Sequence, residues 1–159
     1  MSTEFTIQQA IARDAQEVAV MVGELLTEIM SVTGVQAFHF DLVETTSRLK
    51  DFFDREKYFV FVARSGSGRL AGFIALYESY ALYAGGAFGT IPELYVRPKH
   101  RAHGLGLHLV SHAKSFGVSR GWTRLEVTTP PLPQFHRTLA FYEREGFVIS
   151  GGRKLKVTL

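Results

Sequence analysis

The chain has 159 residues, of which 46% are hydrophobic, and this size and composition predict one globular domain spanning residues 1–159. The formal net charge of +3 comes without a run of clustered Lys and Arg, so the charge pattern favours small anionic ligands and gives no support to a nucleic-acid partner. Cysteine is absent, which excludes disulfides, thiolate metal sites and a cysteine nucleophile. The first residues lack the order of a secretory signal, and no apolar run approaches the roughly 18 residues of a membrane span. We therefore expect a cytoplasmic protein without a membrane partner.

The first two thirds of the chain carry a strand pattern, two helix patterns and a β-rich middle. Apolar spacing and turn residues predict these elements in chain order: a strand at 5–11, helices at 13–30 and 41–53, two strands within 57–82, and a third β run at 86–96. The turn "SGSG" at 65–68 separates the two strands of 57–82, which predicts a β-hairpin.

The last third alternates between helix and strand patterns. It predicts a helix at 104–121, a strand at 123–129, a helix at 133–146 and a strand at 147–159. A right-handed crossover through the first of these helices predicts that the strand ending at Val96 and the strand at 123–129 are parallel. The whole order predicts a single-domain α/β fold with a central, mixed, twisted sheet of about six to seven strands and about four helices.

The segment "RPKHRAHGLG", residues 97–106, links a strand to a helix through two glycines and several cations. Free N–H groups and the helix dipole favour phosphate oxygens at such a helix start, and Gly104 and Gly106 let a ligand approach closely. Arg101 and His103 add charge at the rim of the same turn. On spacing alone, an equally good interpretation is that the glycines only end a loop and permit close helix packing.

Two segments in this order resemble the GCN5-related N-acetyltransferases (GNAT): "YVRPKHRAHGLGLHLV" resembles the acyl-CoA signature, and "LAFYEREGF", residues 139–147, resembles the later helix that ends in Tyr and then Gly-Phe. The resemblance implies the GNAT fold, acetyl-CoA as co-substrate and transfer of an acetyl group to a primary amine by direct attack. It implies that the backbone of Leu94, Tyr95 and Val96 pairs with the pantetheine arm, and that Tyr142 is the general acid. It further implies a pyrophosphate loop made of Arg101, Ala102, His103, Gly104, Leu105, Gly106 and Leu107.

The chain departs from the family pattern at one predicted cofactor contact. Phe135 stands seven residues before Tyr142, where many relatives have an Asn that contacts the cofactor. Gln134 or His136 are the alternatives for that contact.

Glu93 is the carboxylate nearest to the predicted pantetheine strand. Because a free alkyl amine has a pKa near 10.4, a base must take a proton before or during attack. Glu93 is the candidate base if the strand bulges there; the alternatives are that it orients a cationic amine or forms an ordinary salt bridge. The stretch 77–96 weakly resembles diamine and polyamine acetyltransferases, although Pro92 replaces one member of their acidic pair.

Aromatic residues mark the predicted acceptor pocket. The loop 31–42 carries Phe38 and Phe40, and Tyr80 lies among tyrosines that suit a cation-binding wall. Core or dimer packing is the alternative for these tyrosines, which leaves a homodimer open. His108 and His112 are four apart, but the predicted helix turns both to solvent, so we predict no metal site.

The sequence therefore predicts an acetyl-CoA-dependent N-acetyltransferase. The alternatives are an acyl-CoA-binding sensor or regulatory module without turnover, and a nucleotide-binding domain that uses the same glycine turn.

Overall fold

The structure is a computed structural model that describes residues 4–159, so residues 1–3 of the predicted domain lie outside it. Its elements in chain order are β1 (Phe5–Gln9), α1 (Ala15–Thr33), α2 (Leu42–Asp54), β2 (Tyr58–Ser65), β3 (Leu70–Ala81), β4 (Gly86–Ile91), β5 (Leu94–Val96), α3 (Leu105–Ser119), β6 (Leu125–Val127) and α4 (His136–Arg144). They fall into two compact units, Met1–Thr128 and Thr129–Leu159. None of the helices within 4–159 is long and apolar enough to cross a membrane.

The first unit contains a mixed sheet of six strands. Its order is β1-β2-β3-β4-β6, and β5 also pairs with β3. All pairs are antiparallel except β4 with β6, where Gly89 lies opposite Leu125 in parallel register. The predicted hairpin is confirmed. The predicted parallel pair is formed by the first part of the predicted strand 86–96, which is β4, whereas β5, which ends at Val96, does not pair with β6. The α/β fold has the predicted number of strands and helices within the described residues.

Each face of the sheet packs against helices because successive strand residues point to opposite sides. The α1/α2 face carries one core cluster, formed by Val60 and Val62 of β2, Phe73 and Ala75 of β3, and Tyr95 of β5 together with α1 and α2 residues. On the other face, α3 contributes a buried row that consists of Leu105, Leu109, Val110, Ala113 and Gly117. We call these the α1/α2 face and the α3 face.

Local signals position α1 against the sheet. The buried Asp14 precedes α1, and its carboxylate accepts the Ile11 N–H at 3.0 Å and a bond from the Arg64 guanidinium at 2.8 Å. Gly34 ends the helix with φ of 71°, a left-handed conformation that glycine adopts without a steric penalty. The helix therefore begins at an anchored carboxylate and stops where the sequence supplies a glycine.

The second unit contains α4 and an irregular C-terminal segment. The prediction of a strand at 147–159 is wrong, because these residues have no regular secondary structure and residues 148–159 are exposed. Alternating apolar residues describe a strand only when a neighbouring strand supplies hydrogen bonds, and Gly151 and Gly152 interrupt the alternation here.

Candidate active site

A β-bulge separates β4 from β5 at Pro92 and Glu93. Tyr77 of β3 lies opposite Thr90 of β4, and Ile74 lies opposite Leu94 of β5. Between these two pairs, residues 75 and 76 of β3 face residues 91–93. The strand that runs from β4 into β5 therefore contains one extra residue. The bulge that the sequence suggested for Glu93 is present, and it divides the predicted strand 86–96 in two.

The bulge places Glu93 on the α1/α2 face. The Ala75 N–H donates to the Glu93 carbonyl at 2.9 Å, which fixes the backbone of Glu93 opposite Ala75. The Tyr58 hydroxyl donates to Oε2 of Glu93 at 2.5 Å. Within residues 4–159 no ion pair involves Glu93, and its other oxygen, Oε1, has no hydrogen-bond partner yet is not sealed from solvent. Glu93 is therefore a carboxylate with one neutral partner and one free oxygen.

Burial decides the ionisation of this pair. Desolvation raises the pKa of the Glu93 carboxyl above its ordinary value, and the hydrogen bond from Tyr58 acts in the opposite direction. Desolvation also raises the pKa of the Tyr58 hydroxyl, and the charge of Glu93 raises it further. The proton thus stays on Tyr58 at neutral pH, and Glu93 is the group of the pair that can gain or lose one.

The edge of β5 is open beyond the bulge. β4 pairs with both β3 and β6, whereas the described part of the chain gives β5 only β3 as a partner. The backbone groups of Glu93 and Arg97 bond to β3, so by alternation the N–H and C=O groups of Leu94 and Val96 point the other way. The Val96 carbonyl accepts the Arg101 side chain at 2.8 Å. The Leu94 backbone and the Val96 N–H remain available to an extended ligand.

The glycine turn leads from this open edge into α3. Ala102 and Gly104 both have left-handed backbones, with φ of 75° and 73°, and Gly104 is the residue that precedes α3. A Cβ on Gly104 would have no atom within 4 Å, so the space in front of it is open. Alternating backbone conformations beside a helix start direct several N–H groups into one concavity, which is the arrangement that binds phosphate oxygens.

Arg101 is held by its neighbours in the structure. Besides the Val96 carbonyl, its guanidinium binds the Glu28 carboxylate of α1 at 2.9 Å. Arg97 is tied in the same way to Glu24 of α1 at 3.2 Å. The two pairs anchor the turn to α1, and Arg101 already has a carboxylate partner beside Gly104.

Tyr142 lies in α4 of the second unit and is 4% exposed. The helix ends in a Schellman motif, in which the Phe147 N–H bonds to the Tyr142 carbonyl at 3.0 Å and the Gly146 N–H bonds to the Glu143 carbonyl at 3.1 Å. The rings of Tyr142 and Phe147 meet edge to face at 5.2 Å. Burial raises the pKa of the Tyr142 hydroxyl, which therefore carries its proton at neutral pH. The Gly-Phe of the motif thus has a local role, because it closes the helix and fixes the tyrosine ring.

The predicted acceptor-pocket residues lie in different places. The Phe40 ring covers Gly23 of α1 so closely that a Cβ there would come within 2.5 Å of it, and it lines a groove of about 630 Å³ beside α1. Phe38 is exposed in the preceding loop. Tyr80 is 74% exposed and donates to the Glu78 carboxylate. Since Tyr80 is three residues beyond Tyr77 in β3, it points to the α3 face, and the structure does not bring it to Glu93.

The remaining candidates are the two histidines of α3 and the residues around the start of α4. His108 and His112 are both exposed on α3, and no group of three potential metal ligands occurs within residues 4–159. Phe135 is half-buried just before α4, Gln134 is exposed, and Nδ1 of His136 lies 3.2 Å from the Pro133 carbonyl.

Sequence reasoning missed Tyr58 as a site residue. It begins β2 in a run of strand-forming residues, and no local pattern distinguishes it from a core tyrosine. Its partner is 35 positions away, so only the sheet brings them together.

Comparison with known proteins bears on the family and the fold of the chain. A sequence model of the Acetyltransferase (GNAT) family matches residues 24–147. Streptothricin acetyltransferase from Streptomyces lavendulae is 39% identical to this chain in an alignment of 95 residues that covers 57% of this chain and 45% of that protein. The match thus spans less than half the length of this curated relative.

Solved structures share the fold at low identity. An aminoglycoside acetyltransferase from an uncultured soil metagenomic sample, solved in complex with trehalose, superposes with a TM-score of 0.76 at 17% identity, over 98% of this chain and 96% of that chain. A predicted acetyltransferase from Clostridium acetobutylicum, solved with acetyl-CoA, superposes with a TM-score of 0.78 at 13% identity, over the same shares. Because the family match covers more than half of the sequence and includes both motifs, the chain belongs to the acetyltransferase (GNAT) family.

Proposed function

We propose that the protein is an acetyl-CoA-dependent N-acetyltransferase that acetylates a primary amine of a small molecule or peptide. Members of its family use acetyl-CoA. The observation that carries the amine assignment is Glu93, a carboxylate beside an open strand edge with no cationic partner in the described part of the chain. A partly buried acid without a counter-charge complements an arriving ammonium group.

The described residues fit acetyl-CoA. The free backbone groups of Leu94 and Val96 suit the amides of a pantetheine arm, since an extended ligand pairs with an open edge as an added strand. The turn at Gly104 suits a pyrophosphate, since the space in front of Gly104 is open and the turn lies at the start of a 15-residue helix. In this proposal residues 101–107 bind mainly through their backbone.

The reaction we propose is direct transfer. Acetyl-CoA supplies the activated acetyl group. The amine nitrogen forms the new bond to the carbonyl carbon, the carbon–sulfur bond breaks, and its electron pair leaves with sulfur. Glu93 accepts the first proton, from the arriving ammonium group, which frees the nitrogen electron pair for attack. Tyr142 donates a proton to the departing sulfur and regains one from the second proton that the nitrogen loses after the new bond forms, so that charges balance. Tyr142 suits this role because burial keeps its hydroxyl protonated.

The relatives guide the choice of acceptor. The curated relative is named for streptothricin, and a structural neighbour is an aminoglycoside acetyltransferase. We propose a cationic small molecule with a primary amine as acceptor, because such a molecule pairs with the unmatched Glu93. We also propose that both units belong to a single domain, residues 1–159, since the family match crosses from one unit into the other.

The test is CoA release from acetyl-CoA with a panel of acceptors: streptothricin, an aminoglycoside, diamines, amino acids and peptides. Free thiol is measured with a thiol reagent, and product mass identifies the acetylated amine. Turnover with at least one primary amine is expected. Tight acetyl-CoA binding without release for any acceptor would favour a sensor, and binding of NAD or ATP in preference to CoA would overturn the cofactor assignment.

A further inference from the structure

The hydrogen bond between Tyr58 and Glu93 crosses a whole strand of the sheet. Tyr58 is on β2 and Glu93 follows β4, so the phenol reaches across the intervening strand β3. Ala75 of β3 is fully buried and lies opposite Glu93 with only a methyl group on the shared face. The small residue leaves room for the hydroxyl to cross the strand and meet the carboxylate.

Packing fixes the Tyr58 ring in this orientation. The ring of Phe52, from α2, lies 5.3 Å from the Tyr58 ring. Tyr58 also packs against the core cluster of the α1/α2 face. A hydroxyl held in place by a packed ring provides a stable donor, so the orientation of Oε2 is set by the fold before any substrate arrives.

The hydrogen bond to Oε2 leaves Oε1 for the substrate. Since one oxygen is occupied by a donor that keeps its proton, an incoming amine meets the other. We infer that Tyr58 is a positioning residue for Glu93, which holds Oε2 and leaves Oε1 aimed at the acceptor amine. The inference rests on the proposed N-acetyltransferase function.

The titratable surroundings of Glu93 are few. Tyr58 faces it from β2, and Tyr77 of β3 lies beside Tyr58. No Lys, Arg or His in residues 4–159 forms an ion pair with Glu93. Desolvation therefore opposes ionisation of Glu93, and the Tyr58 hydrogen bond is the protein group that favours it. Removing this hydroxyl should raise the pH at which Glu93 loses its proton.

The experiment compares Tyr58→Phe with the control Tyr77→Phe. Tyr77 lies opposite Tyr58 in the β2–β3 register but makes no hydrogen bond to Glu93. The Glu93 titration is followed in the protein without CoA by the 13Cδ resonance of labelled glutamate, assigned through its loss in Glu93→Gln. A hydrogen bond to a charged group contributes about 1.5 to 3 kcal/mol, which predicts a rise of about 1.1 to 2.2 pH units in Tyr58→Phe and none in Tyr77→Phe.

The same variants are then assayed for acetyl transfer with the best acceptor. The acid limb of the kcat/KM profile should move upward in Tyr58→Phe by the same interval, because Glu93 must be ionised to take the amine proton. An unchanged Glu93 titration, or a shifted titration with an unmoved rate profile, would overturn the positioning role. Absence of turnover with every acceptor in wild type would instead refute the proposed function, while the titration still reports separately whether the two residues are coupled.

Discussion

Gly89 of β4 offers a sharp test of how this sheet is packed. A Cβ at Gly89 would lie 2.4 Å from Cζ3 of Trp122 and 2.7 Å from Cδ2 of Leu125, distances that require both side chains to move. The indole has little room to retreat, because Gly117 of α3 lies against the same six-membered ring, where a Cβ would be 3.1 Å from Cε3. Its Nε1 also donates to the Glu78 carboxylate at 2.6 Å. Trp122 is therefore enclosed by two glycines and anchored by a hydrogen bond.

We expect Gly89→Ala to lower the free energy of unfolding by about 2 kcal/mol. Overpacking of a filled core costs about 1 to 3 kcal/mol if the indole stays in place. If the indole is displaced, loss of its bond to an ionised carboxylate alone costs about 1.5 to 3 kcal/mol. Both ranges include the expected loss of about 2 kcal/mol.

Denaturant unfolding measures the effect directly, because Trp122 is the only tryptophan and its fluorescence reports the site that is perturbed. The matched control is Gly66→Ala in the β2–β3 turn, where a Cβ would contact nothing within 4 Å. The control should stay within about 0.5 kcal/mol of wild type. If Gly89→Ala unfolds at the same denaturant concentration as Gly66→Ala, the argument that two glycines enclose Trp122 is refuted.

Three further substitutions test the proposed site. Glu93→Gln should lower kcat about 10²-fold at neutral pH and abolish the acid limb of the rate profile. In wild type this limb lies above the ordinary carboxyl pKa, because burial raises the pKa of Glu93. A rise in KM for the amine alone would show that Glu93 only attracts the acceptor. Gly104→Glu should abolish acetyl-CoA binding measured by calorimetry. The control Gly104→Gln has the same backbone strain at a φ of 73° but no charge, so it should retain more binding. Equal affinities in the two variants would contradict a phosphate at this turn. Tyr142→Phe should lower kcat about 10²-fold with acetyl-CoA affinity nearly unchanged, and an unaltered rate would reduce Tyr142 to a packing role.

Local patterns were sufficient for most of the secondary structure. The helices at 13–30 and 104–121 follow from apolar spacing and from glycines at their ends, and the parallel pair follows from crossover handedness. These features depend on neighbours in sequence or on a general rule of chain topology. The strand predicted at 147–159 failed for the opposite reason, since its existence depends on a partner strand that a local pattern cannot supply.

The site itself was only partly predictable. Gly104 was identified because glycines at a predicted helix start leave room for an anion beside free N–H groups, and the structure gives Gly104 a left-handed backbone that favours glycine. Arg101 looked like a free cation beside the turn, but Glu28 of α1 lies far away in sequence and binds it. Tyr58 gave no signal for the same reason. Residues whose role depends on their own backbone conformation can be recognised locally, whereas residues whose role depends on a distant partner require the fold.

The extra residue of the bulge between β4 and β5 decides on which face of the sheet the Glu93 side chain lies. If the register of β4 continued through β5, Glu93 would lie opposite Ile74, on the face that α3 covers. The bulge moves it opposite Ala75, on the face of Tyr58, because side chains in a strand alternate with a period of two. The same bulge marks the point where β5 continues without β6 as a neighbour. The extra residue thus aims the carboxylate and marks the start of the free strand edge, which explains why the proposed base and the proposed pantetheine contact are adjacent in the sequence.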